Sequence, residues 1–270
     1  MTASDGAPPE DYPAVLARLT EVPEGSFRTV RYGSLPEQFG EYWPGGDGAA
    51  VVLIHGGYWR RRYRLDLMRL LSADLNARGY AVWNIEYRRM DMPGGGWPGT
   101  FDDVSAAVDA VTDLDDGAID PARVALVGHS AGGHLALWAA HAAAASGRRL
   151  SPAVVVSLAG VCDLVTGARL DLSNGAVREL LGGGPDELPE VYRQADPMAL
   201  VPLGVPQLVV HGTADEDVPI ELSRRYAEAA GPEAALLTLP DADHMDMISP
   251  DSAAWPQIAA ELTRLLPPVR

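Results

Sequence analysis

A chain of 270 residues, 47% of them hydrophobic, holds enough apolar material for one sizeable core, and α/β chains of this length commonly form a single domain. Its formal net charge of −16 repels a phosphate backbone, so nucleic acid is not an expected partner. All 21 basic residues are Arg, which excludes Schiff-base chemistry, a pyridoxal-phosphate anchor, a Walker-type phosphate loop and a Ser-Lys dyad, and the single cysteine, Cys162, excludes an intrachain disulfide or a cysteine-rich metal site.

In chain order, Met1 to Glu10 is acidic and Pro-rich, lacks the basic start and apolar run of a secretory signal, and reads as a frayed tail. Strands are expected at Phe27 to Tyr32, Ala50 to Ile54, Ala81 to Ile85, Val124 to Val127, Ala153 to Leu158, Gln207 to Val210 and Ala235 to Leu239, short apolar runs mostly too brief for helices. Helices are expected over Leu65 to Ala77, Phe101 to Val111, Ser130 to Ala145, Leu222 to Ala230 and Ala253 to Leu266. The alternation predicts a single α/β domain, a mostly parallel central sheet with helices on both faces. The run Arg60-Arg61-Arg62-Tyr63-Arg64 reads as a solvated approach to a helix that is also able to attract an anionic substrate group. Residues 162–203 break the rhythm around Gly182-Gly183-Gly184-Pro185 and are expected to form a small cap or lid insertion, surface padding being the alternative. No stretch reaches the roughly 18 continuous apolar residues of a membrane span, and the lone cysteine fits a reducing compartment, so a cytoplasmic protein is expected.

The strongest chemical signal is Gly128-His129-Ser130-Ala131-Gly132-Gly133, where an apolar strand runs into a small-residue turn and then into an Ala/Leu-rich helix. A serine on such a turn projects its hydroxyl clear of the sheet, and Gly128 and Gly132 give the backbone the room that the turn demands. A serine hydroxyl is a poor nucleophile unless a base takes its proton and a carboxylate holds that base. In a strand-turn-helix arrangement of this kind the acid and then the histidine follow the serine along the chain. His55 precedes Ser130; His129 sits inside the turn, its ring expected to point away along the strand; His134 and His141 lie in the following helix; His211 ends a strand before any acid. His244, in Asp243-His244-Met245, is the expected base. Asp215 is the first acid beyond the strand that ends at Val210 and is the preferred partner, with Asp217, Asp241 and Asp243 as substitutes.

A developing oxyanion needs two or three backbone N–H groups aimed at it. The strand ending in His55-Gly56-Gly57-Tyr58-Trp59 offers Gly57 and Tyr58, and the turn after Ser130 offers Ala131. Tyr58, Trp59 and Trp97 either contact substrate or brace the loop in the core. No metal or organic cofactor is called for.

These four pieces together resemble the esterase/lipase branch of the α/β-hydrolase superfamily. Glu86-Tyr87-Arg88-Arg89, Trp97-Pro98 and Phe101-Asp102-Asp103-Val104 are similar to the corresponding segment of hormone-sensitive-lipase-like esterases, a match that favours Asp215 as the acid. His55-Gly56-Gly57-Tyr58-Trp59, with Tyr in place of the usual third glycine, and Gly160-Val161-Cys162-Asp163-Leu164 resemble the kynurenine formamidase (arylformamidase) group. An aromatic often follows the histidine in this branch, and Met245 stands there instead, which implies an altered pocket. The resemblance implies hydrolysis of a small-molecule ester, or of an N-formyl or aryl amide, through an acyl-enzyme on Ser130. A transacylase, a small peptidase and a catalytically silent binding protein are the rival expectations.

Overall fold

A computed structural model describes residues 22, 25–46, 48–145 and 150–268. The expected frayed tail lies outside these residues. The strands are β1 (Arg28–Arg31), β2 (Phe39–Trp43), β3 (Ala50–Ile54), β4 (Ala81–Ile85), β5 (Val124–His129), β6 (Val154–Leu158), β7 (Gln207–Gly212) and β8 (Ala234–Leu239). The helices are α1 (Arg69–Ala77), α2 (Gly99–Ala110), α3 (Ala131–Ala145), α4 (Leu164–Arg169), α5 (Leu172–Leu181), α6 (Pro189–Ala195), α7 (Pro197–Leu200), α8 (Ile220–Ala230) and α9 (Trp255–Leu265). One sheet runs in the order β1-β2-β4-β3-β5-β6-β7-β8. Its pairs are antiparallel from β1 to β4 through β2 and parallel from there on.

Strand β3, Ala-Val-Val-Leu-Ile, is buried along its whole length, the continuous apolar run of a central parallel strand covered on both faces. Its period-2 alternation divides the core. Ala50, Val52 and Ile54 pack with α2 and α3 on one side; Val51 and Leu53 pack with α1 and α9 on the other. The expected helix from Leu65 begins as a 3-10 turn, Leu65–Met68, that runs into α1.

Sequence pattern misses β2, Phe-Gly-Glu-Tyr-Trp, because Glu41 interrupts the apolar run. Glu41 is nonetheless buried, and Arg69 from α1 neutralises it through hydrogen bonds to both carboxylate oxygens. Gly40 is required there, since a Cβ would meet the Trp83 ring at 2.6 Å.

Residues 162–203 form the short helices α4 to α7 between β6 and β7. They pack on α3, where His134 Nε2 donates to the Ala195 carbonyl at 3.0 Å and Trp138 Nε1 to the Gln194 carbonyl at 2.9 Å. Asp163 and Asp196 cap α4 and α7, their carboxylates accepting from Thr166 N–H and Met198 N–H. Among the described residues no helix is long and apolar enough to cross a membrane.

Candidate active site

Six loops leave the carboxyl ends of the parallel strands β3 to β8 at one edge of the sheet, the edge where open α/β sheets gather their ligands. Ser130 stands at the first of these turns to matter chemically, between β5 and α3, with φ at +55°. A non-glycine residue in the left-handed region costs about 1 kcal/mol or more and is kept only where its surroundings over-determine it. Here they do. Ser130 N–H donates to the Leu158 carbonyl at 2.8 Å, and the Ser130 carbonyl accepts from Gly133 N–H at 2.9 Å. The neighbouring glycines leave no alternative, because a Cβ on Gly128 would meet the Gly132 carbonyl oxygen at 2.0 Å and one on Gly132 the Ile54 carbonyl oxygen at 2.0 Å.

Asp215 and His244 meet across the β7 and β8 loops, with Nδ1 of His244 2.7 Å from Oδ2 of Asp215. Oδ1 of Asp215 accepts from Asp217 N–H at 2.9 Å and Val218 N–H at 2.8 Å, an arrangement only the first acid of the loop adopts. Burial alone would raise the pKa of Asp215. Hydrogen bonds from His211 and His244 outweigh it, and the carboxyl is held well below the usual carboxylate range. Of the substitutes, Asp243 accepts from Met245 N–H and Asp246 N–H, and Asp217 and Asp241 are exposed.

Asp215, Asp217 and His244 also bring ligand-type atoms within 4.8 Å of one another. Each oxygen of Asp215 already takes two donors, so the set is organised around N–H groups rather than around a cation.

The expectation for the His129 ring is corrected. It lies buried against His244, with centroids 4.5 Å apart, and its Nε2 donates to the His244 carbonyl at 3.0 Å. Burial first, and the neighbouring His244 second, push its pKa down to about 3, so it is neutral and serves as no base.

The loop after β3 holds Gly57, Tyr58 and Trp59 all at positive φ, a tight reversal that carries Gly57 and Tyr58 to the pocket wall. Gly56 touches the turn itself, since a Cβ there would meet Ser130 Cβ at 2.9 Å. Neither Gly57 N–H nor Tyr58 N–H has a hydrogen-bond acceptor among the described residues. Beneath the loop, buried His55 places Nε2 3.0 Å from Oε1 of Glu86, which also pairs with buried Arg89. Burial would raise the Glu86 pKa, but His55, Arg89 and the Tyr87 N–H together hold it low. To the side, Arg60 ties the loop to α5 by pairing with Glu179 and donating to the Ser173 carbonyl.

Of the three aromatics, only Tyr58 lines the pocket. Trp59 is 0% exposed and packs edge-on to His134, so it braces the loop in the core. Trp97 packs edge-on to Phe101 and Trp138 in a separate surface depression. The pocket, about 80 Å³, is lined by Gly57, Tyr58, Tyr63, Leu67, His129, Ser130, Asp217, His244 and Met245. None of its lining residues comes from residues 162–203. Tyr63 and Leu67 carry no sequence signal for this role, because they belong to the approach and first turn of an ordinary amphipathic helix.

Comparison with known proteins places these residues in a family context. The BD-FAE family model matches residues 44–229. Esterase LipC of Mycobacterium tuberculosis is 29% identical over 258 residues, covering 87% of this chain and 64% of LipC, so the chain spans somewhat under two thirds of that relative's length. Among solved structures, a truncated carbohydrate esterase from gut microbiota superposes with a TM-score of 0.73 at 21% identity, covering 90% of this chain and 98% of the other. A hormone-sensitive lipase from a metagenome library superposes with a TM-score of 0.67 at 25% identity, covering 96% of this chain and 92% of the other. The fold is that of the α/β-hydrolases.

Proposed function

The chain belongs to the BD-FAE family, and from that premise we propose that it is a serine carboxylesterase acting on small-molecule esters with short acyl groups, using Ser130, His244 and Asp215. The observation that carries the reading is one pocket lined by both Ser130 and His244, with the far ring nitrogen of His244 held 2.7 Å from a buried carboxylate. Nδ1–H of His244 donates to Asp215, which leaves Nε2 as the proton acceptor.

Ser130 Oγ attacks the ester carbonyl carbon as Nε2 of His244 takes the hydroxyl proton. The carbonyl π electrons move to oxygen, and the N–H groups of Gly57, Tyr58 and Ala131 receive that negative charge. Collapse re-forms the carbonyl and breaks the bond to the alcohol, which leaves with the proton from His244. Water then attacks the acyl-enzyme, gives a proton to His244, and the tetrahedral adduct expels Ser130 Oγ, which regains the proton as the carboxylic acid departs.

A volume of about 80 Å³ walled by Tyr63, Leu67 and Met245 suits an acetyl or propionyl chain better than a long one. The same smallness suits a formyl group, and hydrolysis of an N-formyl arylamine is the second reading. Wild type and Ser130→Ala, assayed on p-nitrophenyl esters of graded chain length beside N-formylkynurenine, test both. The expected outcome is a specificity constant that falls with chain length and vanishes in Ser130→Ala. Full activity in that variant would refute the mechanism, and a larger constant for the formamide would select the second reading.

A further inference from the structure

His211 is the penultimate residue of β7 and plays no part in the mechanism above, yet it is fully buried and its Nε2 lies 3.2 Å from Oδ2 of Asp215, the oxygen that receives His244. The same Nε2 is 2.9 Å from the Val218 carbonyl, which can only accept, so Nε2 carries the hydrogen and shares it between the two oxygens. Nδ1 is 2.7 Å from Oγ of the buried Ser223 on α8 and accepts from that hydroxyl. In the neutral ring these two partners fix the tautomer from both ends.

We propose that His211 is a positioning residue for the acid. It clamps Asp215 against the Val218 turn and withdraws charge from the oxygen that His244 uses, so that the proton affinity of the base is set by two histidines sharing one carboxylate oxygen. This rests on the serine-hydrolase reading. The groups facing the two rings are few. Around His211 they are Asp215, His129 and, beyond Ser223, the Cys162 thiol, which burial pushes up to about 12 and keeps neutral; around His244 they are Asp215, the exposed carboxylate of Asp217 within 4.8 Å, and the neutral His129. Asp215 is the carboxylate that both rings touch, and through it a change at His211 reaches His244. With one donor fewer, Oδ2 becomes more negative and attracts the protonated ring of His244 more strongly.

The test is the pH profile of kcat/KM on p-nitrophenyl acetate for full-length wild type, His211→Leu and His211→Gln, the last keeping an N–H donor near the Nε2 position. His211→Leu is expected to lose about ten- to a hundredfold in kcat and to move the acid limb upward by about one pH unit. His211→Gln returns the limb toward the wild-type position. An unmoved limb in folded His211→Leu overturns the inference and reduces His211 to packing. If His211→Leu fails to fold, Ser223→Ala decides: freeing the tautomer moves the limb in the same direction, and an unchanged limb again overturns it. Ser130→Ala separates the two levels, because activity retained there sinks the serine mechanism, whereas activity lost there with an unmoved His211 limb sinks only the role of His211.

Discussion

Nε2–H of His129 donates to the backbone carbonyl of His244 at 3.0 Å, which joins the residue before Ser130 directly to the loop that carries the proposed base. The two parts are 115 positions apart in sequence, and this bond fixes where His244 stands relative to Ser130. Substituting His129 by Ala leaves that carbonyl without its donor and opens a void beside the His244 ring. kcat is expected to fall about tenfold with a smaller change in KM, and stability by about 1–3 kcal/mol. Steady-state kinetics beside urea unfolding check it; an unchanged kcat would show that the loop is held by other means.

Acid should destabilise the fold through buried histidines. Burial lowers His129 from 6.5 to about 3 and His134 from 6.5 to about 4. A depressed folded pKa means that the unfolded chain binds more protons between the two values, so the stabilisation is complete above 6.5 and is lost as pH falls toward 4 and 3. Asp196 acts oppositely: burial raises it from 3.8 to about 6, so its contribution is present below 3.8 and lost as pH rises through 6. His134→Phe, facing the Trp59 and Phe101 rings, isolates one histidine. The drop in unfolding free energy from pH 7.5 to pH 5 should shrink by on the order of 2 kcal/mol relative to wild type. An equal drop in both proteins would contradict the assignment.

The central strands were legible because their residues are uniformly apolar: β3 and β4 fall on the predicted Ala50 to Ile54 and Ala81 to Ile85 without a shift. The proposed Ser130, Asp215 and His244 were drawn from residue types and an order that chemistry constrains, and the structure brings His244 and Asp215 into contact. What escaped is support that depends on three-dimensional proximity. Glu41 hid β2 because its partner, Arg69, lies in a different element. His129 and His211 were set aside by their place in the chain, whereas their rings bond to groups that only folding delivers. Trp59 and Trp97 kept two readings because an aromatic at a site and an aromatic beneath it look alike in sequence; burial of Trp59 separates them.

Gly132→Ala tests how tightly the serine turn is built. The added methyl would lie 2.0 Å from the Ile54 carbonyl oxygen and 2.6 Å from the His55 carbonyl oxygen, both backbone atoms of the central sheet and its outgoing loop. Neither can swing aside as a side chain would. The expected cost is about 3 kcal/mol or more, with loss of ester hydrolysis. Thermal unfolding and a fluorophosphonate label on Ser130 read the two effects, and a variant labelled at the wild-type rate would show that the turn relaxes.

Tyr58 closes the pocket from the side. Its hydroxyl donates to the Asp217 carbonyl at 2.6 Å, a bridge from the loop after β3 to the loop after β7, and both residues line the pocket. Burial raises the hydroxyl pKa above its ordinary range, so the group remains a donor throughout the working range of the protein. Tyr58→Phe removes only the bridge: the N–H of residue 58 is retained, and the exposed Asp217 carbonyl can turn to water, so stability should change by less than about 1 kcal/mol. Freed of the bridge, the two loops can part around a larger acyl chain. The ratio of kcat/KM for p-nitrophenyl butyrate to that for the acetate should therefore rise several-fold, and Tyr58→Ala, which also removes the ring from the wall, should raise it further. A ratio that stays fixed in both variants would assign the size limit to Tyr63, Leu67 and Met245 alone, since those are the side chains left to bound the acyl end.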